Sequence, residues 1–421
     1  MKYSERYISV FSVVFGIVFL KSLLSYPIRM ILQSGLYDRI EDTVGGPEYM
    51  TMSYIITVSC FIAIVLLYRF LPTRKYTLQF QRKSFILCPQ RHYVTVWYFL
   101  TAIILINCSI LFWQAGGVLP LLQGYTLDAS SYLIYRAEVT KSINMSLANF
   151  TLQLLVTTNI FISFICIRKI SIFYRVASVL LLLLAGTFSL DRSFFPVAIL
   201  ILMLIYILYK PISLRHVPRR IIFIFLLMIV SSILLVIYST KATYTLLALK
   251  MFFDRQVHGQ WLGMPLYLYF YNDYHITSLT FLHPYILSVL NINVPSTPGR
   301  ELMEYFYTAE VLQGSAGNMP TFFIGEAYAV AGYLGIILSV LYVSILLLVL
   351  AYLFKRMRKT YISCCLYGWM AYKVSSGLTN GVSAFLVSSF SFIMLCMIIW
   401  IILPRKYIHS EHFGHGIEGG M

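Results

Sequence analysis

Residues 321–359 read TFFIGEAYAVAGYLGIILSVLYVSILLLVLAYLFKRMRK, and this stretch decides the fold class. From Phe323 to Leu353 the run holds a single acidic or basic side chain, Glu326, and it is followed by Lys355, Arg356, Arg358 and Lys359. An α-helix needs about twenty apolar residues to cross the hydrocarbon of a bilayer. A basic flank marks the end that stays in the cytoplasm. The stretch therefore predicts a membrane span that enters from outside and finishes inside.

Working outward from it, comparable apolar blocks occupy about 7–26, 52–71, 93–114, 147–167, 172–190, 193–209, 221–239, 361–378 and 383–403. In hydrocarbon only a helix or a closed barrel satisfies its own backbone. The alternation of a barrel strand, over roughly 10 residues, is missing. The expected fold is all-α, a polytopic integral membrane protein with about 10 transmembrane helices. Composition agrees, with 59% hydrophobic and 11% charged residues among 421, against roughly 25% charged in ordinary soluble domains. The first block follows Lys2 and Arg6 as a secretory signal would. It is longer than a signal core and has no small-x-small cleavage site, so it reads as a true span.

Charge placement sets the orientation. Ten crossings put both termini on one side, together with 21 of the 32 Lys and Arg residues, in the segments 2–6, 69–91, 168–175, 210–220, 355–359 and 405–406. Only Glu5, Glu411 and Glu418 accompany them as acids. By the positive-inside rule that side is cytoplasmic, and the net charge of +16 is a topology signal, with no nucleic-acid partner implied. The predicted organisation is a seven-helix membrane region over 1–239, an extracytoplasmic loop over 240–322, a three-helix membrane region over 323–403 and a cytoplasmic tail over 404–421. Within the loop, 276–292 (ITSLTFLHPYILSVLNI) is apolar but carries His283-Pro284 at its centre. Counting it as a span would put Lys355 to Lys359 outside, so it reads as re-entrant or interfacial.

The inner connections are short, while the outer ones, 27–51, 115–146 and 240–322, are long, and loops on a rigid scaffold carry function. No G-x-x-x-x-G-K-[ST] or Gly-rich dinucleotide turn occurs, and no Gly-x-Ser-x-Gly elbow. Carboxylate clusters and His/Cys ligand spacings are also missing outside, so neither metal nor cofactor is expected. None of the seven cysteines lies in an outer loop, which removes a disulfide framework.

Asp191-Arg192 is the strongest local signal. It sits on the turn between two short spans, where charge at the membrane surface tends to be functional, and Arg192 opens a helix whose first N–H groups favour an anion. The plainer reading is a helix cap beside a snorkelling arginine. Arg136, Arg255 and Arg300 join it on the outer side, and a guanidinium grips phosphate oxygens bidentately without losing its charge. Arg300 follows Thr297-Pro298, a cap and first helical position. Each alone is more often a solvated loop residue, and four on the one loop-rich face weigh more than any single one. General-base candidates are His258, His275, His283, Asp191 and Glu326, the last a carboxylate inside an apolar run that needs a partner or a wet cavity. Ala327, Ala331 and Gly335 form a small-residue stripe suited to close helix packing. Lys21 and Lys373 lie in the outward halves of their spans and can snorkel, or Lys373 can line a polar cavity.

With these residues in view, the chain resembles the bacterial O-antigen and oligosaccharide repeat-unit polymerases of the Wzy type. The likeness rests on the architecture, on SAGNMPTFFIGEAYAVAGYLGIILSVLYVSIL (315–346), and on the polar-Arg turn in GTFSLDRSFFPVAILIL (186–202). It implies a metal-independent glycosyltransferase with a GT-C-like helical fold in the bacterial inner membrane. Such an enzyme joins undecaprenyl-diphosphate-linked oligosaccharides on the periplasmic face and works beside a flippase and a chain-length regulator. The resemblance also implies diphosphate binding by Arg192, Arg136, Arg255 and Arg300, and a base among His258, Glu326 and Asp191. An O-antigen ligase or other glycan-modifying transferase shares the architecture. From another class, a polysaccharide flippase or transporter remains open, although transporters show repeats and midplane charges.

Overall fold

The computed structural model describes residues 7–32, 40–127, 129–167, 172–188, 194–212, 263–273, 298–308, 319 and 321–381. Every element among them is a helix: α1 (Val10–Leu32), α2 (Pro47–Phe70), α3 (Thr73–Arg82), α4 (Gln90–Gln114), α5 (Pro120–Thr126), α6 (Ala129–Ser142), α7 (Met145–Cys166), α8 (Ile172–Phe188), α9 (Phe194–Tyr209), α10 (Gly263–Phe270), α11 (Pro298–Phe306), α12 (Phe323–Arg356) and α13 (Tyr361–Asn380). Four of these, α2, α4, α7 and α12, are long and apolar enough to cross a membrane, and α8 and α9 are shorter apolar helices. Large apolar side chains face outward along them, such as Ile55 on α2, Phe99 on α4 and Ile337 on α12. In water such surface would be a liability, whereas in lipid it is solvated. The protein is an all-α, multi-pass membrane protein. The expected spans 221–239 and 383–403, and the apolar segment 276–292, lie outside the described residues.

One end of the bundle gathers the basic segments. Ile8 N–H donates to the Ile212 carbonyl (2.9 Å), and Gln81 Nε2 donates to the carbonyls of Ile8 (3.2 Å) and Ile207 (3.3 Å). The guanidinium of Arg82 lies over the Tyr7 ring at 5.0 Å, and the Lys355 ammonium lies over Tyr76 at 4.2 Å. Two lysines cross-cap two helices here. Lys83 Nζ donates to the carbonyls of Lys355 (2.5 Å) and Met357 (2.6 Å) at the end of α12, while Lys359 Nζ donates to Gln81 O (2.6 Å) at the end of α3. The last carbonyls of a helix lack intrahelical partners and carry partial negative charge, so an ammonium satisfies both. All eight described acids, Glu41, Asp42, Glu48, Glu138, Asp273, Glu301, Glu304 and Glu326, belong to segments at the other end. The charge asymmetry read along the sequence is thus a spatial one.

The middle of the bundle is pinned by Asn159, which is fully buried on α7. Its Nδ2 donates to Thr101 Oγ1 (3.0 Å) and Trp97 O (3.3 Å) on α4, and its Oδ1 accepts from Ser178 Oγ (2.6 Å) on α8. Trp97 Nε1 closes the network onto Ser178 Oγ at 2.9 Å. An unsatisfied polar group costs several kcal/mol in hydrocarbon, and here each member has a partner. Two stretches of α7, 151–156 and 162–166, are wound as π-helix, a local widening that recurs at functional sites.

Two expectations change. The uninterrupted helix expected over 323–353 is broken at Ala331 (φ −145°, ψ 25°) and Gly332 (φ 57°, ψ −143°). At Gly335 the small-residue stripe makes a close approach within its own chain: a Cβ there would overlap the Ala327 carbonyl, which folds back at the break. Gly332 adopts a backbone conformation that an L side chain disfavours, so the break is built around it. The segment ahead of the break is anchored by Phe61 on α2, whose ring meets Phe322 edge-on at 5.1 Å and Phe323 at 6.0 Å. Secondly, α1 continues to Leu32, beyond the span expected over 7–26, while Lys21 stays in the outward half of its apolar part, Val10–Leu24.

Candidate functional site

The break in α12 positions the described part of the acid-rich end. Ahead of it, Phe323, Ile324, Gly325, Ala327, Tyr328 and Ala329 are buried, whereas Glu326 is half-exposed and the one charged side chain among them. Its carboxylate lies against Gly381, just beyond α13, where φ is 149° and a Cβ would overlap the carboxylate. Only glycine lets the backbone approach that closely.

A second layer comes from α10 and α11. Tyr271 is buried, and its hydroxyl donates to the Pro298 carbonyl (3.2 Å) and to Glu301 Oε2 (2.9 Å). Met319 N–H donates to Gly299 O at 2.8 Å. A Cβ on Gly299 would stand 2.9 Å from the Met319 carbonyl and 3.1 Å from the Tyr267 hydroxyl, so α11 sits tightly on both. Burial pushes the Tyr267 phenol well above its ordinary range, and the negative charges of Glu326 and then Glu301 push it further. Tyr267 therefore stays protonated at neutral pH and is a donor near two carboxylates. Such a group of one half-exposed carboxylate, a protonated phenol and a glycine-lined approach can orient a hydroxyl-bearing ligand and take its proton.

Among the residues expected at the site, Glu326 takes part in this cluster. Arg300 is in the first turn of α11, as its Pro298 neighbour predicted, and its Nε donates to Glu304 Oε1 at 2.8 Å. With side chains 33% and 48% exposed, the pair faces water, where an ion pair is worth ~0–1 kcal/mol. Arg136 lies within α6, a helix inside what the sequence suggested was a loop. Asp191, Arg192, Arg255, His258, His275 and His283 lie outside the described residues. Among the described residues that flank Asp191-Arg192, Gly186 of α8 lies against the Phe194 ring of α9. Among the described residues no group of His, Cys, Asp and Glu side chains is arranged to hold a metal ion.

A polar seam descends from this cluster, on the helix where the sequence offered Lys373 as a residue that snorkels or lines a polar cavity. The outward half of α13 reads KVSSGLTN from Lys373 to Asn380, and Lys373, Ser376 and Gly377 share a face. Gly381 is eight residues from Lys373, about 12 Å along the axis. A helical side chain leans toward the helix N-terminus, which for α13 is the basic end. In keeping with this, Lys373 Nζ lies over the Trp369 ring at 5.6 Å, one turn deeper. Lys373 does not snorkel outward. The Trp369 ring is fully buried and its Nε1 has no acceptor among the described residues. Gln153, on the π-wound part of α7 that packs against α13, is 8% exposed and its Oε1 likewise lacks a donor. A cation–π contact supplies ~0.5–2 kcal/mol, less than the several kcal/mol per ion that leaving water costs.

An open depression of about 420 Å³ lies along α2, lined by Pro47, Glu48, Thr51, Met52, Ile55 and Ile56. Its lining is almost wholly apolar, with Glu48 among the residues that border it. Compared with known proteins, the chain matches no family model, no curated protein and no solved structure.

Proposed function

We propose that this protein is a membrane glycosyltransferase with about ten spans and a GT-C-like arrangement. It joins lipid-diphosphate-linked oligosaccharide repeat units into a surface polysaccharide of the O-antigen kind. The observation that carries the proposal is the half-exposed Glu326 carboxylate, set against Gly381 near Tyr267. It lies at the end of the bundle remote from the basic segments, the end that the positive-inside rule assigns to the exterior. No nucleotide reaches that face, so the donor must carry its own leaving group, and a lipid diphosphate does.

In the proposed reaction the acceptor hydroxyl gives its proton to Glu326 or His258, and its oxygen attacks the anomeric carbon of the nascent chain. The bond from that carbon to the lipid diphosphate breaks, and the diphosphate leaves with the electron pair. Arg192, Arg136 and Arg255 would hold the diphosphate and offset the charge that grows on it. Arg300 would have to leave Glu304 to join them.

A second reading, transport of a lipid-linked glycan, is favoured by one observation. Broken helices are a device of transporters, in which unwound backbone lines a substrate path, and α12 is broken at 331–332. Deletion separates the two. A polymerase null leaves single repeat units on the anchor, whereas a transporter or ligase null leaves none. Arg192→Ala and Arg192→Lys should both shorten the chains without loss of protein, and normal ladders in both would remove Arg192 from the site.

A further inference from the structure

We infer that Lys373 is an anion-binding residue inside the membrane, and that the outward half of α13 forms the path by which a phosphate-bearing headgroup reaches it. The inference deepens the proposed function, since it rests on a lipid-linked phosphate as the ligand. The observations are independent of the candidate arginines. Lys373 carries a positive charge seven residues inside the outer end of α13, and no described carboxylate pairs with it. Its side chain is directed inward over Trp369, so the surrounding headgroups do not neutralise it. Two buried polar groups on the elements around it, Trp369 Nε1 and Gln153 Oε1, are without described partners. A cation beside an unused indole N–H fits an oxyanion, which accepts hydrogen bonds from both. Gln153 adds an amide whose Nε2 donates at 3.4 Å to Asn149 Oδ1 and whose carbonyl is left for a hydroxyl or a protonated phosphate oxygen. On the face of α13 that carries Lys373, the next residues outward, Ser376 and Gly377, are small, and Glu326 lies against Gly381 at the outer end of the same seam. The arrangement suits a phosphate or diphosphate ester whose apolar chain stays in the bilayer.

The test uses the full chain in nanodiscs of zwitterionic phosphatidylcholine, with undecaprenyl diphosphate, inorganic diphosphate and phosphatidylglycerol as separate probes. Wild type and Lys373→Arg should bind undecaprenyl diphosphate, and Lys373→Met should bind it at least tenfold more weakly. The ligand-free Lys373→Met protein should melt at or above the wild-type temperature, because it loses a charge that had no counter-ion. A lysine with a purely structural role would instead lower it. Lys373→Gln repeats both measurements with a polar, uncharged side chain. Unaltered diphosphate binding by Lys373→Met and Lys373→Gln would overturn the inference, and so would failure of both to fold. Should only phosphatidylglycerol show Lys373-dependent binding, the anion site stands and the diphosphate-donor reading falls. Should the Lys373 variants bind and extend chains as wild type does, the site falls and the donor reading stands.

Discussion

Replacing Gly332 by alanine has a sign that depends on whether α12 is broken. In a continuous exposed helix, Gly→Ala stabilises by about 1 kcal/mol, because alanine loses less backbone entropy. At Gly332 the backbone is at φ 57° and ψ −143°, a conformation whose use by a residue with a Cβ costs on the order of 1–3 kcal/mol. Relief by straightening is blocked, because the buried segment 323–329 is held by Phe61 and the turn after the break packs Gly335 on the Ala327 carbonyl. Gly332→Ala should therefore destabilise by about 2 kcal/mol. Gly16, within α1, is the control: nothing lies within 4 Å of a Cβ built there, so Gly16→Ala should stabilise by up to about 1 kcal/mol. Denaturant titration of the detergent-solubilised protein, with equal slopes required of the three chains, measures both. A stabilised Gly332→Ala would mean that α12 runs straight, and Glu326 would then no longer be carried to Gly381.

Three further outcomes are expected. Asn159→Ala removes three hydrogen bonds across α4, α7 and α8; at ~0.6 kcal/mol each within a membrane, unfolding should become easier by about 2 kcal/mol, and an unchanged midpoint would mean the network is idle. Tyr267 has a folded pKa raised above its unfolded value near 10, so above pH 10 the unfolded chain sheds a proton that the folded chain keeps, and stability falls as pH rises; Tyr267→Phe should show a shallower alkaline loss than wild type in parallel melts, and identical slopes would contradict the assignment. Gly381→Ala drives a methyl group into the Glu326 carboxylate, so it should reduce polysaccharide extension at least as strongly as Glu326→Gln at normal protein level; ladders of wild-type length in both would remove this pair from the chemistry.

Much of the architecture was legible because hydrocarbon imposes so few solutions. Long apolar blocks with basic flanks gave α2, α4, α7 and α12 to within a few residues, and the same charges meet in space through Lys83 and Lys359. The break at Gly332 was not legible, since glycine is ordinary in membrane helices and an apolar run records burial without recording φ. The amphipathic α3 and the helices α5 and α6 were hidden by their shortness in segments that looked like loops. The grouping of Tyr267, Glu301 and Glu326 is a tertiary event among residues up to 59 positions apart, beyond any local spacing rule. Lys373 was legible as a snorkelling or cavity-lining residue, and what decides between the two is the ordinary lean of helical side chains, which turns its ammonium toward Trp369.

Lipid-linked oligosaccharide extracted from membranes of the deletion strain provides the substrate for the decisive measurement. Incubated with the purified protein in proteoliposomes, without nucleotide and with a chelator present, it should lengthen by whole repeat units and release one lipid diphosphate for each linkage formed. Movement of the intact lipid-linked unit between leaflets with no new linkage would contradict the account and assign the protein to transport.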